Sequence, residues 1–167
     1  NELGLKGIAF HPGYETNGIF FLAYCSTQNT VRLSRFQRQA GNPNAADPDS
    51  EVMLINQTNN GIYHNIDDAL FGPDGYLYVG MGDEGPPATN NPNTQIITQD
   101  LWSAILRIDP DKRPGNVEPN PHPAVPTNGA GQAFYSIPTN NPFLGATQFN
   151  GVAVQPGRVR TEFYAVG

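Results

Sequence analysis

The sequence predicts an all-β protein, part of a β-propeller: about three blades of antiparallel four-stranded sheet with long loops rich in Pro, Asn and Gly. Three observations predict it. The apolar residues fall in short bursts of roughly five to eight, rich in Val, Ile, Phe and Tyr, which is the length and composition of strands. The 167 residues include 18 Gly and 16 Pro, with 38% hydrophobic and 14% charged residues, so turns are frequent and the chain is not disordered. A pattern also recurs: an aromatic residue, a turn containing Pro, then an alternating aromatic strand. It appears in GIAFHPGYETNGIFFLAY, again in ALFGPDGYLYVGMG, and more weakly in VAVQPGRVRTEFYAVG (152–167). Repeated four-strand units with periodic Gly and aromatic residues are the mark of propeller blades, each packing on its neighbours.

In chain order, strands are expected at 7–10, 18–25, 30–36 and 51–56, joined by turns into a first sheet. A second set follows at 68–71, 76–82 and 104–109, with FYS (134–136) or a later segment as its fourth strand, and the 152–167 echo as part of a further repeat. GPDG (72–75) has Pro second and Gly fourth, the arrangement of a type I turn. Phe10 and Phe71 lie 61 residues apart, more than the roughly 40–45 of a compact WD40 blade. Long loops are therefore inserted, at 82–100 and 110–133, where apolar periodicity is nearly absent. The chain reads as one partial propeller domain over 1–167, entered and left within strand patterns, as expected of a piece of a larger domain.

Nine basic against 15 acidic residues give a net charge of −6, which opposes binding to a phosphate backbone and argues against nucleic acid. No stretch approaches the roughly 18 apolar residues that span a bilayer. The single cysteine, Cys25, excludes an internal disulfide and a cysteine-based metal cage, and reads as a small strand residue.

Of the three histidines, His11 in FHPG reads as turn packing and His122 in NPHPAVP as solvent-facing. His64 directly precedes a strand, at a blade rim, where sites gather; it is either a strand-end bystander or a base held for chemistry. Asp67, Asp68, Asp83 and Glu84 suggest a cation site, but they lack EF-hand spacing, and solvated turns account for them. There is no P-loop, GxGxxG, GxSxG or HExxH, so the chemistries those motifs serve lose their usual support.

Several blocks, in order, resemble one family. GLKGIAFHPGYETNGIFFLAY, HNIDDALFGPDGYLYVGMGDEG, ITQDL, ILRIDPD, YSIPTNNPF and TEFYAVG are similar to ordered blocks of the glucose/sorbosone dehydrogenases, soluble six-bladed propellers. The resemblance implies a parent protein that uses pyrroloquinoline quinone (PQQ) and Ca²⁺ to oxidise an aldose at its anomeric carbon to a lactone, passing electrons to an acceptor such as a cytochrome. It implies a periplasmic or secreted location, His64 as general base, and Glu2 near the sugar. Two departures stand out: Ile66-Asp67 replaces the family's Gly-Gly, adding bulk and charge beside the presumed base, and Ser103-Ala104 replaces a Gly-Lys. The family's remaining substrate contacts, calcium carbonyls and quinone-binding cations follow the last matched block, so no calcium or quinone ligand is assigned here and the 167 residues alone are expected to be inactive. The competing expectation is a non-catalytic propeller that binds protein or glycan, because fold alone does not settle function.

Overall fold

The computed structural model describes residues 2–27, 29–61, 63–85 and 93–167; part of the expected 82–100 loop therefore lies outside the described residues. The first sheet is a meander of β1 (Gly4–Phe10), β2 (Ile19–Ser26), β3 (Thr30–Gln39) and β4 (Asn42–Thr58), hydrogen-bonded in that order. Between β1 and β2 a single helical turn, α1 (Tyr14–Asn17), ends on Gly18, whose φ of 65° lets its N–H bond Tyr14 O. Strand periodicity decides what faces in: Phe21, Ala23 and Cys25 of β2 are buried, as are Val31 and Leu33 of β3 and Leu54 and Ile55 of β4. β4 is much longer than the expected 51–56. It begins at Asn42 and carries Pro43 and Pro48, which an edge strand with repeated register shifts tolerates because its outer N–H groups have no ladder to serve.

The second sheet comprises β5 (Ile66–Phe71), β6 (Leu77–Met81) and β7 (Ala104–Ile108), with a small hairpin of β8 (Gln148–Phe149) and β9 (Val152–Ala153) outside it; its fourth strand is β10 (Phe163–Val166), against the free edge of β7. GPDG closes the β5–β6 hairpin, with Gly75 N donating to Gly72 O at 2.9 Å. The later segment, not FYS, thus completes the sheet. Ser136 reaches only Asp109, just past the end of β7, while Tyr135 turns fully into the core. The described strands form two four-stranded sheets, so the weak third echo builds no third blade: it supplies β9 and β10. The 109–162 excursion packs its own apolar residues, including Val125, Ile137 and Val159, into the core before returning, and covering β7's edge satisfies backbone groups that a blade start would leave open. The result is a nearly all-β partial propeller.

The two sheets pack through β1 and β5. A Cβ on Gly7 would lie 2.9 Å from Asp67 O and 3.0 Å from Asp68 Cα, so glycine is what lets the strands approach. Phe21 meets Phe71 edge-on at 5.6 Å. His11, expected to pack a turn, does so and also ties the sheets: its Nδ1 accepts Gly13 N–H, leaving Nε2–H for the Asp111 carboxylate at 3.1 Å. This packing sets the start of β5 beside the N-terminal strand.

Candidate active site

His64 sits in the turn that leads into β5, with φ of 52°, the left-handed region that non-glycine residues seldom adopt. The backbone around it determines that conformation. Glu84 N donates to His64 O at 3.1 Å, Gly82 N donates to Asn65 O at 2.8 Å, and a Cβ at Gly82 would collide with His64 O. Strain held at a rim is a pointer to function rather than proof of it.

The side chain is oriented as tightly as the backbone. His64 Nδ1 lies 2.6 Å from Asp83 Oδ1. An ionised carboxylate only accepts, so Nδ1 carries the proton and Nε2 is left as the basic nitrogen. Burial works to raise the Asp83 carboxyl, but hydrogen bonds from Gly85 N–H and His64 hold it below the usual carboxylate range. Asp83 therefore stays ionised and keeps the imidazole in one tautomer. In the sequence Asp83 reads as one member of an acidic group; only its Gly-flanked place at a strand end hints at this pairing.

His64 borders a cleft of about 450 Å³ that Glu2, Lys6, Asn65 and Asp67 also line, with Met81 and Ala104 among its other walls. Glu2 and His64, 62 positions apart, thus share one cavity, and Glu2 is engaged by Lys6 at 4.0 Å. Of the two residues that depart from Gly-Gly, both border the cleft, but Ile66 is only 1% exposed and packs in the core while Asp67 is exposed. Beneath the turn, Asn59 Nδ2 donates to Asn65 Oδ1 at 2.6 Å.

The acidic residues of the sequence are not pooled. Asp83 serves His64, Glu84 accepts from Asn60 N and Asn93, and Asp68 accepts from Ala69 N. His122 differs from the solvent-facing expectation. Its side chain is 13% exposed beside Asp100, and burial followed by the Arg160 charge holds it below its ordinary range. It lines a separate cavity of about 630 Å³ in the proline-rich loop, which shares no residue with the His64 cleft. Cys25 is buried, and burial pushes its thiol up, as suits a packed strand residue.

A tricarboxylate quinone such as PQQ needs cations, and the one cation among the described residues lining the cleft, Lys6, is engaged by Glu2; Ala104 stands where the resemblance places a lysine. Among the described residues, no three His, Cys, Asp or Glu side chains converge on a point that would hold a metal ion. The donor set fits a hydroxyl compound and not the cofactor or its metal.

The Glucose / Sorbosone dehydrogenase family matches residues 1–151. The Hedgehog-interacting protein of Mus musculus is 27% identical over 156 residues, covering 88% of this chain and 20% of that protein. The PQQ-bound Aldose Sugar Dehydrogenase of Streptomyces coelicolor is 27% identical with a TM-score of 0.55, covering 74% of this chain and 35% of that one. A putative oxidoreductase (glucose dehydrogenase) of Thermus thermophilus, 21% identical with a TM-score of 0.58, covers 100% of this chain and 38% of its own, and supports the fold. The chain spans about a fifth of the mouse protein and little more than a third of the solved ones. With the match running from residue 1 to 151 over two propeller sheets that hold an oriented histidine, the chain belongs to the glucose/sorbosone dehydrogenase family.

Proposed function

We propose that these residues form the proton-accepting side of a sugar dehydrogenase site, within a parent protein that oxidises an aldose at its anomeric carbon to a lactone. The observation that carries this reading is the His64–Asp83 pair at the mouth of a cleft shared with Glu2. Oxidising a C–OH group requires a proton to leave oxygen and a hydride to leave carbon. His64 Nε2 takes the proton, and Asp83 stabilises the imidazolium that forms, the division of labour by which a positioned base accelerates such steps by about 10²–10⁴. Glu2 accepts a hydrogen bond from a neighbouring sugar hydroxyl and so orients the substrate. In relatives that bind PQQ, the quinone supplies the hydride acceptor; the described residues here do not hold it. On this reading electrons pass on to a cytochrome or soluble carrier, and the parent is periplasmic or secreted, as the family resemblance implies. No helix among the described residues is long and apolar enough to cross a membrane.

The second reading is a non-catalytic propeller that binds protein or glycan. The similarity to a Hedgehog-interacting protein and the poor fit of the cleft to the quinone both favour it. Assaying the parent protein with PQQ, Ca²⁺ and a panel of aldoses separates the two. Turnover is expected, and His64→Ala should lower kcat at least about 100-fold while quinone binding is retained. Unchanged turnover in that variant removes His64 from the mechanism, and absence of turnover in the parent supports the binder. The isolated 167 residues are expected to be inactive, and robust turnover by them would overturn that part of the proposal.

A further inference from the structure

The charge pattern of the cleft indicates what kind of sugar it takes. Between Ile66, which pairs with Met81, and Ala69, which pairs with Val79, β5 inserts two residues opposite the single Gly80. A bulge of this kind turns a side chain out of the alternation, and bulges recur beside sites for that reason. Here it leaves Ile66 buried and Asp67 and Asp68 both exposed, with Asp67 lining the cleft three positions after His64.

The other ionisable groups in and around the cleft are already committed. Lys6 is engaged with Glu2, and His64 is bonded to Asp83. The Asp67 carboxylate has no hydrogen-bond or ion-pair partner among the described residues. The uncommitted charge facing the cavity is therefore negative, and a substrate group meeting it is attracted if cationic and repelled if anionic.

We propose that Asp67 is the charge-selecting residue of this cleft and that the favoured substrate carries an ammonium group, as a 2-amino-2-deoxy aldose does; the proposal rests on the reading of the cleft as a sugar site. Asp67 stands where the resembling blocks have glycine, so the selection is a property of this chain. The alternative, a solvated carboxylate with no ligand, is an outcome of the test.

The test is a titration of the parent protein, labelled with ¹⁵N-histidine, with D-glucosamine, D-glucose and D-glucuronate at low ionic strength, following the His64 ring resonances. The same titrations are made on Asp67→Asn. An exposed ion pair is a modest interaction, so glucosamine should bind about fivefold more tightly than glucose, with glucuronate weakest. The glucosamine preference should vanish in Asp67→Asn and shrink with added salt. Equal binding of glucosamine and glucose, or a preference that survives Asp67→Asn, overturns the charge selection while leaving the sugar site standing. If none of the three compounds moves the His64 resonances, both the selection and the sugar site fall.

Discussion

At Ser103 the backbone takes φ of 56°, and the buried Oγ has no hydrogen-bond partner among the described residues. The position is held from both sides: Ser103 N donates to Gly82 O at 2.7 Å and Gly167 N donates to Ser103 O at 2.8 Å. The resembling blocks have glycine there, which reaches this conformation without a Cβ penalty. The left-handed region costs an L-residue roughly 1–2 kcal/mol, so Ser103→Gly should stabilise the fold by about 1 kcal/mol, read from urea unfolding. Unchanged or reduced stability would mean that the serine gains something not visible in its contacts. His64 is strained in the same way but keeps its side chain because Asp83 uses it. The two positions separate strain at a side chain that has a bonded partner from strain at one that has none among the described residues.

Among the elements, the β1–β5 contact matters most for the site. Gly7 lets β1 lie against the backbone of Asp67 and Asp68, so the sheet packing and the cleft wall are the same few residues. Gly7→Ala would place a methyl group at 2.9 Å from Asp67 O, against backbone that has no side-chain freedom to yield. Overpacking of this kind costs about 1–3 kcal/mol, so the urea midpoint should fall and the His64 resonances should shift with it. A variant with wild-type stability and unshifted resonances would show that the sheets can separate there at no cost. Most elements were legible in the sequence: alternation in GIFFLAYC and YLYVGMG marks strands, and GPDG marks their turn. The length of β4 was not, because Pro43, Pro48 and the Asp residues around them read as loop, and only pairing with β3 makes them strand. β10 was foreseen only as a later segment, since nothing local in TEFYAVG says which edge it will meet.

For the molecule as a whole, two carboxyls set opposite limits on stability with pH. Asp83 is held below its ordinary range, so its contribution is present above the unfolded value and is lost as pH falls through the folded one. Glu162 is fully buried, accepting a hydrogen bond from Tyr135 O–H at 2.7 Å, with its other oxygen unpartnered among the described residues. Burial pushes this carboxyl up, against the smaller lowering effects of the Tyr135 bond and Arg160. Its neutral form therefore stabilises the fold fully below the unfolded value, and that contribution is lost as pH rises through the folded one. Thermal unfolding across pH should show a fall on each side, with Glu162→Gln flattening the fall that begins as pH rises above the ordinary glutamate range and Asp83→Asn the fall below the ordinary aspartate range. A fall with rising pH that persists in Glu162→Gln would assign it elsewhere.

The sequence by itself determined the all-β class, most strand positions, the hairpin turn, the family and the placing of His64 at the start of a strand. These are local matters: side-chain alternation, Pro and Gly at turn positions, and ordered blocks are written in adjacent residues. Tertiary structure decided that Asp83 orients the His64 imidazole, that Glu2 shares its cleft, that Ile66 is buried while Asp67 is exposed, and that the described strands form two four-stranded sheets and a small hairpin rather than three blades. Each of these depends on how strands distant in sequence stack and how one bulge shifts their register, and sheet packing is settled by shape and burial across the whole core.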